Sequence, residues 1–256
     1  MAKFIHDFKV VENLPVNKDY FVLYLECPIQ LPPILPGQFV QVQVHSSPTT
    51  YLRRPISIYD VDRDKNQLLL LIKKVGNGTK ALSSLKVGEY LNLVYPLGNS
   101  FSIPHSGRVL LIGGGVGIAP MLYLAKYLKT KNVEAHVLIG GKSTHDIIEC
   151  DKYKPYCEVY ITTDDGSLGE KGLVTQHSLF GEQIKFYDRV YVCGPNPMMI
   201  AVSKLVEKYN IPCEVSLENM MACGIGACLC CVAPTHEGNK TTCVEGPVFN
   251  SKDLKW

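Results

Sequence analysis

Apolar residues in the first hundred positions recur at the spacing of short β-strands. Val40, Val42 and Val44 fall on every second residue, which places them on one face of an extended chain. Prolines and glycines interrupt the apolar runs. Several short strands punctuated in this way predict a small antiparallel β-barrel. Its strands are expected at residues 20–27, 38–44, 67–75 and 89–98.

After Pro104 the pattern changes to apolar strands that alternate with longer helical segments. Asn196 followed by Pro197 fits a helix N-cap and a first helical position. This alternation predicts βαβ units and a parallel, Rossmann-like sheet. The strands are expected at 108–114, 133–141, 157–166 and 188–195, and the helices at 119–130 and 196–210. The regular alternation stops near Glu214.

Composition and charge narrow the function classes. The chain has 256 residues, which is enough for one large domain or two modest ones. Its net charge of +2 comes without a basic block, so no nucleic-acid partner is expected. Residues 1–16 lack the apolar core of a signal peptide, and the uncharged stretch 109–125 is short for a membrane span and holds four glycines and a proline. We therefore expect no membrane association and a cytoplasmic location, where clustered cysteines more often bind metal or act in redox chemistry than form disulfides.

Cysteines near the carboxyl end have the spacing C-x4-C-x2-C, followed after eleven residues by a fourth. This opening is typical of plant-type 2Fe–2S clusters, and the small residues of the loop leave its backbone free to wrap inward. A zinc knot is the alternative, but it usually has two short C-x2-C pairs and only one exists here. Cys230 breaks the spacing, and we expect it to be a small buried filler. The predicted ligands are Cys223, Cys228, Cys231 and Cys243.

Three further motifs occur in a fixed order, RRPISIY (53–59), GGGVGIAP (113–120) and VCGPNPMM (192–199). Their order resembles the ferredoxin reductase superfamily. Together with LENMMACGIGACLCCV (217–232), the whole chain resembles the electron-transfer subunits of NAD-dependent, heteromeric dihydroorotate dehydrogenases. The resemblance implies an FAD-binding antiparallel β-barrel at 1–103, a Rossmann-like NAD-binding α/β domain at 104–213 and a small 2Fe–2S subdomain at 214–256.

The resemblance also implies an FAD site. Arg54 offers a fork of donors to the diphosphate or ribityl chain, and Ser57 can hydrogen-bond the reactive edge of the ring. Taken alone, the first segment favours an ordinary edge strand, and the loop at Gly78 has as its alternative a helix start capped by Thr79. The implied FAD residues are Arg54, Pro55, Ile56, Ser57, Leu71, Ile72, Lys73, Gly78 and Thr79.

The predicted nucleotide-binding motif differs from the standard dinucleotide fingerprint. GGGVGIAP does not satisfy G-x-G-x-x-G, and it matches instead the G-x-G-x-A-P turn of the reductases, implying Gly115, Gly117, Ala119 and Pro120 as NAD-binding residues. Asp164 and Asp165, after a later strand, could accept from a ribose hydroxyl and would repel a 2′-phosphate, which favours NAD over NADP. The alternative for these two aspartates is an ordinary surface turn. By resemblance Cys193 lies near the nicotinamide and positions it, with a plain core cysteine as the alternative.

The implied function is a relay in de novo pyrimidine biosynthesis. Electrons from dihydroorotate leave the FMN of a separate catalytic subunit and reach NAD⁺ through the 2Fe–2S cluster and FAD of this chain, in a 2+2 assembly. No base suited to dihydroorotate oxidation is found in this chain. Two alternatives remain at this stage. One is the small subunit of another two-subunit flavoprotein, such as a ferredoxin/NADP or sulfide oxidoreductase, and the other is a zinc-stabilised binding module.

Overall fold

The computed structural model describes residues 2–45, 47 and 49–256. Within this part of the chain the backbone forms sixteen strands and three α-helices. None of the described helices is both long enough and apolar enough to span a membrane. The strands are β1 (Phe4–Pro15), β2 (Tyr20–Glu26), β3 (Phe39–Val42), β4 (Arg54–Ser57), β5 (Asp60–Asp62), β6 (Gln67–Lys73), β7 (Tyr90–Leu97), β8 (Arg108–Gly114), β9 (Glu134–Gly141), β10 (Glu158–Thr163), β11 (Glu170–Lys171), β12 (Arg189–Cys193), β13 (Cys213–Ser216), β14 (Val232–Thr235), β15 (Gly238–Thr241) and β16 (Val248–Asn250), and the helices are α1 (Asn77–Leu82), α2 (Ala119–Thr130) and α3 (Asn196–Glu207).

The first seven strands form one antiparallel sheet in the order β4-β3-β7-β1-β2-β6-β5. The sheet curls until β4 lies against β6, which gives the predicted barrel. Strand β1 was not expected from the sequence, because charged residues separate its inward side chains. Phe8 and Val10 of β1 are fully buried, while Lys9 between them is exposed.

The second sheet has the order β11-β10-β9-β8-β12-β13-β16, and all of its strands are parallel except β16. Helix α2 packs on the face that carries Val109 and Leu111, and α3 packs on the opposite face with Leu110 and Ile112. This is the Rossmann-like arrangement that the sequence predicts. Helix α3 begins at Asn196 itself, with Pro195 at the N-cap, one residue earlier than expected.

One continuous core joins the barrel to the parallel sheet. Tyr20 and Tyr59 of the barrel are fully buried against residues of α2, in the same cluster as Leu111. At the edge of this core Lys126 of α2 lies 2.7 Å from the Asp60 carboxylate. The two domains therefore contact each other through packed side chains, and this contact holds the facing edges of the barrel and the parallel sheet in a fixed relative position.

The last forty residues extend the second sheet. Strand β16 pairs antiparallel with β13, and β14 and β15 form a separate hairpin. The predicted boundary between residues 213 and 214 falls inside β13, the last parallel strand. Asn99, at the end of the barrel, donates to the carbonyls of Glu245 and Val248 and accepts from the Val248 N–H. These bonds attach the carboxyl-terminal segment to the barrel as well as to the sheet.

Candidate functional site

A cavity of about 710 Å³ lies where the barrel, the parallel sheet and the cysteine-rich loop meet. Its volume is within the range of cofactor and ligand pockets. The wall includes residues from β4, β6, the start of α2 and the cysteine loop, by which we mean residues 218–231. The structure thus brings together most of the residues assigned to FAD from the sequence. On the wall are Arg54, Pro55, Ile56, Ser57, Leu71, Ile72, Lys73 and Thr79.

Arg53 and Arg54, which both line the cavity, have different hydrogen-bond partners. Arg53 donates to the Asn92 side chain at 2.6 Å and to the carbonyls of Gln41 and Asn92, so it fastens barrel strands together. Arg54 donates to the carbonyl of Leu52, and its Nε lies beside Gly78. A Cβ at Gly78 would be 3.0 Å from that Nε, so the glycine leaves room for the Arg54 side chain. Gly78 thus shapes the site from behind Arg54.

Strand β6 offers the cavity its backbone. Leu71 and Ile72 are nearly fully buried in the two cores, so their side chains point away from solvent. The Leu69 carbonyl accepts from the N–H of Tyr59, and backbone groups of every second strand residue point the same way. Leu71 and Lys73 therefore direct their backbone groups past the end of β5, on the side of the cavity. Polar backbone at that edge suits the hydrogen-bonding rim of a cofactor.

Lys73 also has a partner in the other domain. Its Nζ lies 3.7 Å from the Asp146 carboxylate and 5.0 Å from the centre of the Tyr20 ring. The Tyr20 hydroxyl donates to the same carboxylate at 2.9 Å, and burial raises the pKa of Tyr20 well above its usual value. The ammonium group is thereby held at the junction of the barrel and the parallel sheet.

Thr79 has the structural role that the sequence left open. Its hydroxyl oxygen accepts from the N–H groups of Val75 and Gly76, at 2.9 Å and 3.1 Å, and so caps the start of α1. The residue also lies on the cavity wall. Capping by Thr79 and a place at the site are thus both present, and its contact with FAD stays a prediction.

The glycine turn lies where the strand order reverses between β8 and β12. Gly115 has a φ of +55°, and a Cβ at Gly117 would lie 2.5 Å from the Cys193 carbonyl oxygen. Two turns at the carboxyl ends of neighbouring parallel strands therefore touch, which is where such sheets bind nucleotides. Ala119 lies on the cavity wall, and Pro120 follows it in the first turn of α2. The free N–H groups at this helix start suit a pyrophosphate.

Asp164 and Asp165 follow β10 at the same edge of the sheet, but neither reaches the cavity wall. The Asp165 carboxylate accepts from the Ser167 N–H at 2.9 Å, and hydrogen bonds from Ser167 lower the pKa of Asp165. This is the arrangement of an ordinary turn. Asp164 is exposed and its backbone N–H is bonded to the Gly141 carbonyl, which leaves its carboxylate facing solvent at the sheet edge.

Cys193 is fully buried and lies behind the cavity. Burial raises the pKa of its thiol well above the ordinary value, so the sulfur is neutral and unsuited to nucleophilic attack. Its Sγ lies 4.0 Å from Oε1 of Glu218, which is on the cavity wall. The surrounding protein raises the pKa of Glu218 by desolvation. This carboxyl was not predicted from the sequence, although a lone acid among the apolar residues of LENMM was the available signal.

The structure brings the four predicted cysteine ligands into contact as two pairs, Cys223 with Cys228 and Cys231 with Cys243. Backbone N–H groups approach every sulfur: Ile225 to Cys223 at 3.4 Å, Gly226 to Cys243 at 3.2 Å, Cys230 to Cys228 at 3.5 Å and Cys243 to Cys231 at 3.4 Å. Although burial opposes ionisation, N–H donors from Ile225 and Cys228 lower the pKa of Cys223 to about 6. Four thiols with a shell of N–H donors have the chemistry that an iron–sulfur cluster requires. Among the described residues, no three Cys, His, Asp or Glu side chains surround the position of a single metal ion.

The expectation that Cys230 is buried is wrong. Its side chain is exposed and lines the cavity, because Leu229 before it takes a φ of +57° and turns the chain outward. The neighbouring methionines differ from each other. Met220 is 85% exposed, whereas Met221 is buried beneath the loop. The thiol of Cys230 is therefore the part of the cysteine loop that faces the cavity, a position that the sequence spacing alone does not predict.

Three family models match consecutive parts of the chain. Residues 7–101 match an oxidoreductase FAD-binding domain, and residues 111–204 match an oxidoreductase NAD-binding domain. Residues 218–255 match the iron–sulfur cluster binding domain of dihydroorotate dehydrogenase B. The protein is therefore an oxidoreductase component with FAD-binding, NAD-binding and iron–sulfur domains, and the fold agrees with each of them.

Individual relatives cover nearly the whole chain. It is 41% identical over 248 residues to a protein of Clostridium acetobutylicum, covering 96% of this chain and 95% of the relative, and 39% identical to one of Desulforamulus reducens, covering 98% of both. Both are described as the electron transfer subunit of dihydroorotate dehydrogenase B (NAD⁺). A solved structure of an NADH-dependent reduced ferredoxin-NADP oxidoreductase shares 31% identity with a TM-score of 0.88, covering 97% of this chain and 90% of the other. A ferredoxin reductase from carbazole 1,9a-dioxygenase, at 22% identity and a TM-score of 0.72 over 83% of this chain and 68% of the other, shares the fold. By sequence and by architecture, this chain belongs to the family of electron transfer subunits of dihydroorotate dehydrogenase B (NAD⁺).

Proposed function

We propose that this chain connects an FMN-bearing, dihydroorotate-oxidising partner subunit to NAD⁺. One observation carries the proposal. A single cavity is lined by Ser57 of the flavin strand, by Ala119 of the glycine turn and by Met221 and Cys230 of the cysteine loop. Groups held by these three elements would lie within one continuous site, without an intervening layer of protein.

The bound groups supply the electron chemistry, a one-electron carrier in the cluster and a one- or two-electron carrier in the flavin. The chain supplies placement and electrostatics. Arg54, Ser57 and the β6 backbone orient the flavin, and the turn at Gly115 and Gly117 brings the nucleotide to it. Cys193, buried behind the cavity, helps to position the nicotinamide ring. The N–H groups around the four cysteine sulfurs stabilise negative charge there.

An exposed apolar patch on and beside the cysteine loop is the proposed docking surface for the partner. Met220 is 85%, Leu229 64%, Ile225 50% and Val244 44% exposed. Clustered exposed apolar residues mark interaction surfaces, and docking here would shorten the distance between the partner's flavin and the cysteine sulfurs. We propose a 2+2 complex in the cytoplasm, with two copies of each subunit.

Replacing Cys228 by Ser tests the route through the loop. In the isolated complex, Cys228→Ser should lose cluster iron and dihydroorotate-driven NAD⁺ reduction while keeping its FAD. Cys150→Ser is the matched control, because this partly exposed thiol lies outside both the cysteine loop and the cavity wall, and it should keep both iron and activity. Intact dihydroorotate-driven activity in an iron-free Cys228→Ser complex would refute the proposal.

A second candidate function has one specific observation in its favour, the similarity to the ferredoxin-NADP oxidoreductase structure. Identification of the subunit that copurifies with this chain separates the two. A partner that holds FMN and reduces with dihydroorotate supports the first proposal. A partner that holds FAD and reacts with NADPH or ferredoxin, and ignores dihydroorotate, supports the second.

A further inference from the structure

Gln41 is a polar residue in the otherwise apolar contact between strand β3 and the cysteine loop. It lies in β3 with no exposed surface and pairs with Pro55 of the flavin strand β4. Val40 and Val42, on either side, face the barrel core. Because side chains alternate along a strand, Gln41 points to the opposite side of β3 from these valines.

That opposite side is the underside of the cysteine loop. Phe39, two residues before Gln41 and on the same face, packs against Cys231 and Cys243. Gln41 itself lies against Gly224, where a Cβ would be 2.7 Å from the Gln41 Cγ and 3.0 Å from its Nε2. The amide therefore lies directly beneath the loop that carries the four predicted ligands.

Neither polar atom of the Gln41 amide has a hydrogen-bond partner among residues 2–45, 47 and 49–256. A buried amide without a partner costs free energy, and folded proteins rarely retain one. The Thr242 hydroxyl, next to Cys243, is a second buried polar group without a partner in the described chain. Two buried polar groups thus lie close to the predicted ligands, one against Gly224 and the other next to Cys243, and they point to an acceptor that the described chain does not itself supply.

We propose that the Gln41 Nε2 donates a hydrogen bond to sulfur at the iron–sulfur centre, and that this bond raises the centre's reduction potential. Reduction adds one electron, which increases the negative charge on the sulfur atoms. An N–H donor stabilises the more negative form more strongly, so it favours reduction. Gln41 is then a positioning and tuning residue that makes no contact with substrate.

The location gives the bond a specific role. Strand β3 lies between β4 and β7, so the same short strand supports the flavin segment on one edge and the cysteine loop on its outer face. Gln41 can therefore set the potential of the one centre relative to the other without altering the flavin wall. This inference depends on the presence of the cluster and is independent of which partner subunit docks.

The test is a redox titration of the cluster followed by electron paramagnetic resonance in the purified complex. Gln41→Met keeps the side-chain volume and removes the donor, and Gln41→Leu removes the donor with a shorter apolar side chain. Loss of one hydrogen bond to a charged group corresponds to roughly a tenfold change in the reduction equilibrium, which is about 59 mV for a one-electron couple. Both variants should lower the cluster potential by this order, with the FAD potential and the iron content unchanged.

Several results would overturn the inference. One is a Gln41→Met complex with full iron and an unshifted cluster potential. If the variants fail to assemble a cluster, the wild-type complex still decides: with glutamine labelled by ¹⁵N at its side-chain amide, the reduced cluster should show ¹⁵N coupling in pulsed spectra. Absence of that coupling sinks the proposal. Wild-type complex without cluster iron would instead refute the proposed function, which keeps the two failures distinct.

Discussion

Gly224→Ala is the substitution that tests most directly how the cysteine loop is built. Gly224 has a φ of +70°, in the left-handed region that favours glycine. A methyl group there would also lie 2.7 Å from the Gln41 Cγ, inside the normal contact distance of two carbons. Gln41 is fully buried in a paired strand, so it has little room to move aside.

The expected magnitude has two parts. The left-handed backbone costs a non-glycine residue about 1–2 kcal/mol. Crowding a packed interior with an extra methyl group costs about 1–3 kcal/mol more. Closure of the cysteine loop onto β3 should thus be destabilised by about 2–5 kcal/mol, since both penalties apply together. The lower figure corresponds to a roughly 30-fold smaller population of the closed loop.

The assay measures iron and acid-labile sulfide per FAD, together with amide hydrogen exchange across residues 222–228. Gly238→Ala is the matched control, because Gly238 has a φ of +110° yet a Cβ there has no atom within 4 Å. Both variants carry backbone strain, and only Gly224→Ala adds the clash. We expect Gly224→Ala to lose iron and to exchange faster in the loop, while Gly238→Ala keeps its iron. Equal iron content and equal loop exchange in the two variants would refute this account of the packing.

Three further predictions concern the cavity and its thiols. Arg54→Ala should weaken FAD binding roughly 10- to 150-fold, because a hydrogen bond to a charged group contributes about 1.5–3 kcal/mol. The control is Arg63→Ala, because the Arg63 guanidinium donates to the carbonyls of Leu31 and Pro32 and lies away from the cavity. If flavin fluorescence titration finds equal FAD affinities for the two variants, Arg54 is not part of the site. Desolvation raises the folded-state pKa of Glu218 above 4.5, so its contribution to stability is complete below that pH and is lost as the pH rises through the folded pKa. The free energy of unfolding of Glu218→Gln, measured with denaturant, should therefore vary less with pH above 4.5 than that of wild type. Parallel pH profiles for the two proteins would contradict the assignment. In the holoprotein, iodoacetamide should modify Cys230, which is exposed, and spare Cys193, which is fully buried with a raised pKa; mass spectrometry showing Cys193 labelled first would contradict both its burial and its predicted role.

The sequence by itself determined the features that depend on local chemistry. The alternation of Val40, Val42 and Val44 predicted β3, the short apolar run at 67–75 predicted β6, and the helical segment at 119–130 predicted α2. The reductase turn at Gly115 and the C-x4-C-x2-C spacing are also local, because a tight turn and a cluster loop constrain residues within a few positions of one another. The three domain types followed from the order of these motifs, and the family models confirm them.

Only the tertiary structure decided which distant residues meet. Glu218 approaches Cys193 from 25 positions away, Gln41 lies against Gly224, more than 180 residues later, and β16 returns to pair with β13. The outward turn at Leu229, which exposes Cys230, and strand β1, whose inward residues alternate with charges, also went unpredicted. The physical reason is common to all of these cases. Burial and hydrogen-bond partners belong to the packed chain, and no residue type or local spacing records which surface will cover it.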